Sequence, residues 1–228
     1  MKSLSHLNLC ALGGGGEVGA NCFELSFDGH QILLDCGTHP KKEGEAALPA
    51  FALLNRTPDA FLITHAHVDH CGAVPYLSHI FPGIKGYTTH PTARIMDRML
   101  HNSVSVMETL ARERDIREYP LYDHYDVGCA LRFVDSFNFR ESFMLNMDVP
   151  VEATFIEAGH VLGSASILLR LPGHTVFYTG DICRTAQALM GGYRPLDKNV
   201  QVDTLIIEST QGASNDESYG TYVEEIDH

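Results

Sequence analysis

Four side chains able to ligate a metal fall within six residues in the run His65-Ala66-His67-Val68-Asp69-His70. Neutral imidazoles with a carboxylate suit zinc, with manganese or iron as alternatives. His65 and His67 are two positions apart, so on extended backbone they face the same side. Asp69 and His70 then follow round a turn. Ala60 to Thr64 reads as a short buried strand that delivers the run to a loop. A tight loop of such groups needs partners for its polar atoms, and a metal is one.

Two later residues suit the same centre. His160 lies in Ala158-Gly159-His160-Val161-Leu162-Gly163-Ser164, after a strand and between glycines that permit a sharp turn. Asp181 lies in Tyr178-Thr179-Gly180-Asp181, again at a strand end, where a carboxylate can bridge two cations. Taken singly, each also reads as a turn residue, since Gly-Asp is a common turn pair. The argument for them is joint: a layered sheet gathers its strand ends along one rim. Gly14-x-Gly16-x-x-Gly19 has the form of a dinucleotide fingerprint, but that motif needs a helix N-terminus after it. An alternating strand follows instead, so the segment reads as a glycine-rich turn.

The elements that must position these residues begin with a strand over Leu7 to Leu12. Phe23, Leu25 and Phe27 alternate with polar residues as a half-buried strand. Asp28-Gly29 signals a hairpin turn, and Gln31 to Leu34 returns. A helix is predicted over Cys71 to Ile80 and a strand over Gly86 to Thr89. Pro91 opens a long helix whose apolar positions Met96, Met99, Leu100, Val104, Met107 and Leu110 fit a 3.6 period. The charged stretch Arg112 to Glu118 and Pro120 end it. Leu131 to Val134 and Ala153 to Glu157 are further predicted strands. Ile167 to Leu171 and Val176 to Thr179 form a hairpin about Pro172-Gly173, and Thr204 to Ile207 is the last strand. The opening hairpin breaks the strand–helix alternation of a doubly wound sheet, which leaves two packed sheets with helices outside.

Composition narrows the chemistry. The 228 residues suffice for one domain with its own core. No apolar stretch is long enough for a membrane span, and the N-terminus lacks a signal-peptide pattern. Six scattered cysteines suit free, mostly buried thiols in a reducing cytoplasm. The formal charge of −13 weighs against a nucleic-acid partner, although a bound metal pair would add positive charge where it counts.

The motif set resembles the metallo-β-lactamase fold, and within it the β-CASP branch of RNA-processing nucleases. Supporting segments are Glu17-Val18-Gly19, Leu34-Asp35-Cys36-Gly37, Asp69-His70-Cys71-Gly72-Ala73-Val74-Pro75-Tyr76, His160-Val161-Leu162-Gly163-Ser164, Tyr178-Thr179-Gly180-Asp181 and Ile207-Glu208-Ser209-Thr210, in the family's order. The resemblance implies an α/β (α+β type) αββα sandwich, two zinc ions per complete site with manganese as the alternative, and hydrolysis of RNA. It implies that His65, His67 and His160 hold the first metal, Asp69 and His70 the second, and that Asp181 bridges them. Asp69 would also orient or deprotonate the attacking water. Glu208 would serve a general-acid relay, against the plainer reading of a strand-end glutamate. RNA is the implied partner, within a homodimer or an RNA-processing complex.

Residues 1–210 correspond to the front portion of that domain, incomplete at the C-terminus. The acidic residues 211–228 correspond to the entry into an inserted β-CASP domain. The family's returning segment, with a further second-site histidine and the histidine partner of Glu208, has no match here. Gln211 stands where tyrosine is usual. The remaining histidines read as surface or satisfied core groups, with His39 the one best placed to reach the active rim. Two competing readings stay open: a thioesterase-like hydrolase of small substrates, which the acidic charge favours, and a non-catalytic RNA-processing subunit.

Overall fold

The opening alternation folds into antiparallel strands. In the computed structural model, which describes residues 4, 6–187, 190–210 and 212, β1 (Leu7–Gly13), β2 (Cys22–Phe27) and β3 (His30–Leu34) form a meander with its second turn at Asp28-Gly29. The strands β4 (Ala60–Leu62), β5 (Lys85–Thr89) and β6 (Val134–Phe137) then add in parallel, giving the order β1-β2-β3-β4-β5-β6. Parallel neighbours need crossovers. Helices α1 (Val68–Cys71) and α2 (Val74–Ile80) make one, and α3 (His90–Arg114) and α4 (His124–Leu131) make the next. The second sheet holds β7 (Ser142–Met144), β8 (Glu152–Glu157), β9 (Ala165–Leu171), β10 (His174–Tyr178) and β11 (Thr204–Ile206), in the order β11-β10-β9-β8-β7. Its pairings are antiparallel except β10 with β11.

The sheets pack face to face. Leu25, Ile32 and Leu62 of the first meet Phe155, Ile167 and Tyr178 of the second in one apolar core. The opposite face of the first sheet carries Leu33, Phe61 and Ile63 and is covered by Leu77, Met96, Leu100 and Val104. β3 and β4 are therefore buried on both faces, which is why they read as unbroken apolar runs. The outer face of the second sheet, with Ile156, Leu168 and Phe177, is covered by Tyr193, Leu196, Val200 and Val202 from the connection before β11. Among the described residues no helix lies on that face. The described layers are helix, sheet, sheet, an αββα sandwich without its second helical layer. Positions 211 and 213–228, assigned to an entry segment from the sequence, lie outside the described residues.

The long helix forms as its pattern requires. Thr89 caps it by accepting from Thr92 N, Pro91 sits in its first turn, and Asp115 ends it in the left-handed region at φ 52°. Met96, Leu100, Val104 and Met107 form its buried stripe.

Other expectations shift. The helix predicted from Cys71 is two helices, and the first begins at Val68, inside the histidine motif. The strand predicted at Leu131 begins at Val134, because α4 occupies the preceding residues. The helix formers in His124–Leu131 are weak. The Asp123–Asp126 capping box and the burial of Val127 and Ala130 decide its state. All six thiols are free, but only Cys22, Cys36 and Cys71 are buried and Cys10 is exposed, so burial holds for half of them. Among the described residues no helix is long and apolar enough to cross a membrane.

Phe61 links the layers: a Cβ on Gly86 would lie 2.2 Å from its ring, and the side chain is fully buried. Phe61→Ala should lower stability by about 3–5 kcal/mol, read as a reduced urea midpoint at unchanged slope. A loss below about 1 kcal/mol would show that the core closes over the gap.

Candidate metal centre

The histidine run is held from below by one buried carboxylate. Asp35, just past β3, accepts from Thr64 N (2.8 Å) and Thr64 Oγ1 (2.9 Å) with Oδ1. Its Oδ2 accepts from His70 Nδ1 (2.8 Å) and from the Tyr178 hydroxyl (2.8 Å). With Nδ1 committed to Asp35, His70 presents Nε2 to the rim. Burial and then Asp35 push the Tyr178 hydroxyl well above its ordinary range, so it stays a donor.

The backbone of the run is clamped as well. Cys36 N donates to His70 O (2.8 Å), Thr38 N to Val68 O (2.9 Å) and Asn21 N to Asp69 O (2.9 Å). Gly37 permits this contact: a Cβ there would fall 1.7 Å from the Asp69 carbonyl oxygen and 2.5 Å from His70 N.

His160 arrives on the loop after β8. Ser164 Oγ accepts from His160 N (3.0 Å) and Val161 N (3.1 Å). Gly163 O accepts from Thr89 Oγ1 (2.7 Å) and Thr92 Oγ1 (2.9 Å), which fastens the loop to the start of α3. Asp181 follows β10. Ser166 Oγ donates to Thr179 O (2.8 Å), and Gly180 lies against Thr64.

These loops converge. His67 Nδ1 lies 3.0 Å from His65 Nε2 and 3.3 Å from His160 Nε2. Asp181 directs Oδ2 towards His160 Nε2 (3.6 Å) and Oδ1 towards His70 Nε2 (3.5 Å). Two sets of donor atoms lie within 4.8 Å of one another, His65/His67/His160 and His65/His70/Asp181, and either could hold a cation. Asp69 stands beside the second set, with Oδ2 3.7 Å from His70 Nε2.

Burial dominates the electrostatics. Desolvation, then His70, His67 and His160, push His65 far below the ordinary imidazole range, and burial followed by His160 lowers His67. Both shifts favour the neutral imidazole, the form whose lone pair can ligate a cation. Burial opposes charge on His70, but Asp35 and Asp181 raise it to about 10. Burial likewise opposes charge on Asp181, yet the hydrogen bond and charge of His70 hold it below the usual carboxylate range.

A cavity of about 520 Å³ opens over this rim, between the Gly14–Gly16 loop on one side and Glu208–Thr210 on the other. Glu208 lines it, but its carboxylate accepts from Ile182 N (3.3 Å) and Thr210 N (2.9 Å). The glycine loop leads into β2 and not into a helix, as the sequence implied. His39 belongs to neither donor set; its Nε2 is 3.3 Å from Glu17 Oε2 and its Nδ1 accepts from Lys41 N (3.1 Å). Asn21 was not anticipated: its side-chain Nδ2 lies 3.0 Å from His70 Nε2 and 3.3 Å from Asp69 Oδ2. Asp35 and Tyr178 were visible only as members of motifs, without roles.

The model of the metallo-beta-lactamase superfamily matches residues 15–211. The chain belongs to the metallo-beta-lactamase superfamily. Within it, the chain is 35% identical over 212 residues to the cleavage and polyadenylation specificity factor subunit 3 of Dictyostelium discoideum, covering 90% of this chain and 26% of that protein. It is 37% identical to the endoribonuclease ysh1 of Aspergillus fumigatus, covering 89% of this chain and 23% of that protein. Against an RNase J-like protein of Methanocaldococcus jannaschii it is 32% identical, covering 90% and 42%. The chain thus spans about a quarter of the length of the first two relatives. A solved structure of a protein of unknown function from Enterococcus faecalis superposes with a TM-score of 0.51 at 19% identity, covering 78% of this chain and 44% of that one, which shows the shared fold.

Two changes test the scaffold of this candidate centre. Asp35→Ala strands buried donors on Thr64, His70 and Tyr178, and should cost roughly 3–5 kcal/mol in chemical denaturation. Gly37→Ala should separate the Asp69–His70 backbone from residues 36–38, with faster amide hydrogen exchange at Cys36 and Thr38. Unchanged exchange there would rule out the close approach as the reason for glycine.

Proposed function

We propose that this chain carries a two-metal centre for hydrolysing RNA phosphodiester bonds. The observation that carries it is Asp181, a half-buried carboxylate whose two oxygens face different imidazoles, His160 and His70. The donor set supports the reading. Three imidazole nitrogens at 3.0–3.3 Å, two of them on rings kept neutral, crowd lone pairs that a cation would unite. His65, His67 and His160 would hold one ion, Asp69 and His70 the other, with Asp181 between them. Zinc fits the imidazole-rich set, and manganese is the alternative where oxygen predominates. When bound, such a pair activates water at neutral pH and stabilises the attacking and leaving oxygens of a phosphodiester.

The chain's own residues do the rest. Asp35 fixes the His70 ring. Asp69, at the cavity wall, would orient the attacking water and take its proton. Glu208 holds the Asp181 segment through Ile182 N and faces the cavity, where a relay to the leaving oxygen would stand. An RNA substrate would meet a chain of charge −13, so binding depends on positive charge concentrated at the centre. The relatives named as endoribonucleases support RNA over a small thioester.

The test uses the full chain, stripped by chelator and restored with zinc or manganese, on end-labelled RNA. Cleavage should return with metal. His67→Ala and Asp181→Ala should each lower it at least about a hundredfold, beyond the usual cost of outer-shell changes. Variants that cleave like the wild type would overturn the proposal, and turnover of thioesters without RNA cleavage would replace it. Glu208→Gln separates the relay from the buttress: the relay predicts a lower rate with metal content unchanged.

A further inference from the structure

One side chain that no motif announced reaches the rim beside His70 and Asp69. Asn21 lies between the glycine loop and β2 with its backbone fixed on both sides. Its N–H donates to Asp69 O (2.9 Å), and its carbonyl accepts from Gly37 N (3.0 Å). The carboxamide is thereby aimed at the rim, with Nδ2 3.0 Å from His70 Nε2 and donating to Asp69 Oδ2 (3.3 Å), and with Oδ1 turned towards Gly14. Among the described residues nothing donates a hydrogen bond to its oxygen.

Gly14 makes room for this arrangement. It has φ 77°, and a Cβ there would stand 2.3 Å from Asn21 Oδ1 and 3.1 Å from Asn21 Cγ. Any side chain at position 14 would displace the carboxamide.

We infer that the Asn21 carboxamide oxygen is a ligand of the second cation, alongside His70, Asp69 and Asp181. The inference rests on the metal-centre reading above. Ligand atoms about 2.1 Å from an octahedral cation lie about 3.0 Å apart, which is the spacing between Asn21 Nδ2 and His70 Nε2. The oxygen and nitrogen of a carboxamide exchange places by a half-turn. Beside a cation, the oxygen lone pair is attracted and the N–H groups are repelled, so the oxygen takes the inner position. The resulting set is one imidazole, two carboxylates and one amide oxygen. It favours a harder ion, such as manganese, than the three-imidazole set does. The two positions of the centre would then differ in metal preference.

The experiment is manganese titration of the metal-stripped full chain, with free ion read by electron paramagnetic resonance and bound ion by elemental analysis. The wild type should take up two ions. Asn21→Leu and Gly14→Ala should each weaken the second ion about tenfold or more, with the first unchanged. Asn21→Asp, of the same shape with added charge, should tighten the second ion by a similar factor. It decides the matter alone if the other variants fail to fold by circular dichroism. A second ion bound equally by all four proteins overturns the inference. Uptake of a single ion by the wild type overturns it while leaving the His65/His67/His160 group standing. Uptake of none overturns it together with the metal-centre reading.

Discussion

A single buried carboxylate holds the two sheets and the histidine run in register. Asp35 is fully buried, and a polar group so placed is tolerable only when it is hydrogen-bonded. Its donors come from Thr64 beyond β4, His70 in α1 and Tyr178 at the end of β10. Three separate parts of the chain, drawn from both sheets, must therefore meet at one point. The hydrogen bond to His70 Nδ1 sets that ring's orientation, so the constraint that closes the fold also aims a candidate ligand.

The rim inherits its electrostatics from that arrangement. Burial strips charge from His65, while carboxylates on either side keep it on His70. Imidazoles within a few ångströms of each other thus hold opposite protonation preferences, because one lies among other histidines and the other between Asp35 and Asp181. Asp69, Asp181 and Glu208 make the mouth of the cavity acidic, an environment that gathers cations and repels phosphate until cations are present.

Long-range contacts couple the layers to the loops. The loop bearing His160 belongs to the second sheet, yet its Gly163 carbonyl is held by Thr89 and Thr92 at the start of α3, which packs on the first sheet. The hydroxyl of Thr89 serves twice, capping the helix and anchoring the loop. Moving α3 would move His160.

The sequence by itself determined which side chains could form a metal centre. His65, His67, Asp69 and His70 are neighbours along the chain, and their side-chain types suit metal ligation without any fold. His160 and Asp181 were legible because each ends a strand whose apolar pattern is visible, and strand ends share a rim. The opening hairpin and α3 were legible for the same reason, since local periodicity carries them. Tertiary structure alone decided the rest. The weak helix formers of α4 take their state from a cap and from burial, and β7 is three residues around one buried phenylalanine. Tyr178 and Asp35 are 143 positions apart, and nothing local in either announces the other. Asn21 reaches His70 only because Gly37 and Gly14 bring backbone and carboxamide within contact distance. Ligand types are a property of residues, but a coordination shell is a set of distances, and only packing brings such distant residues to them.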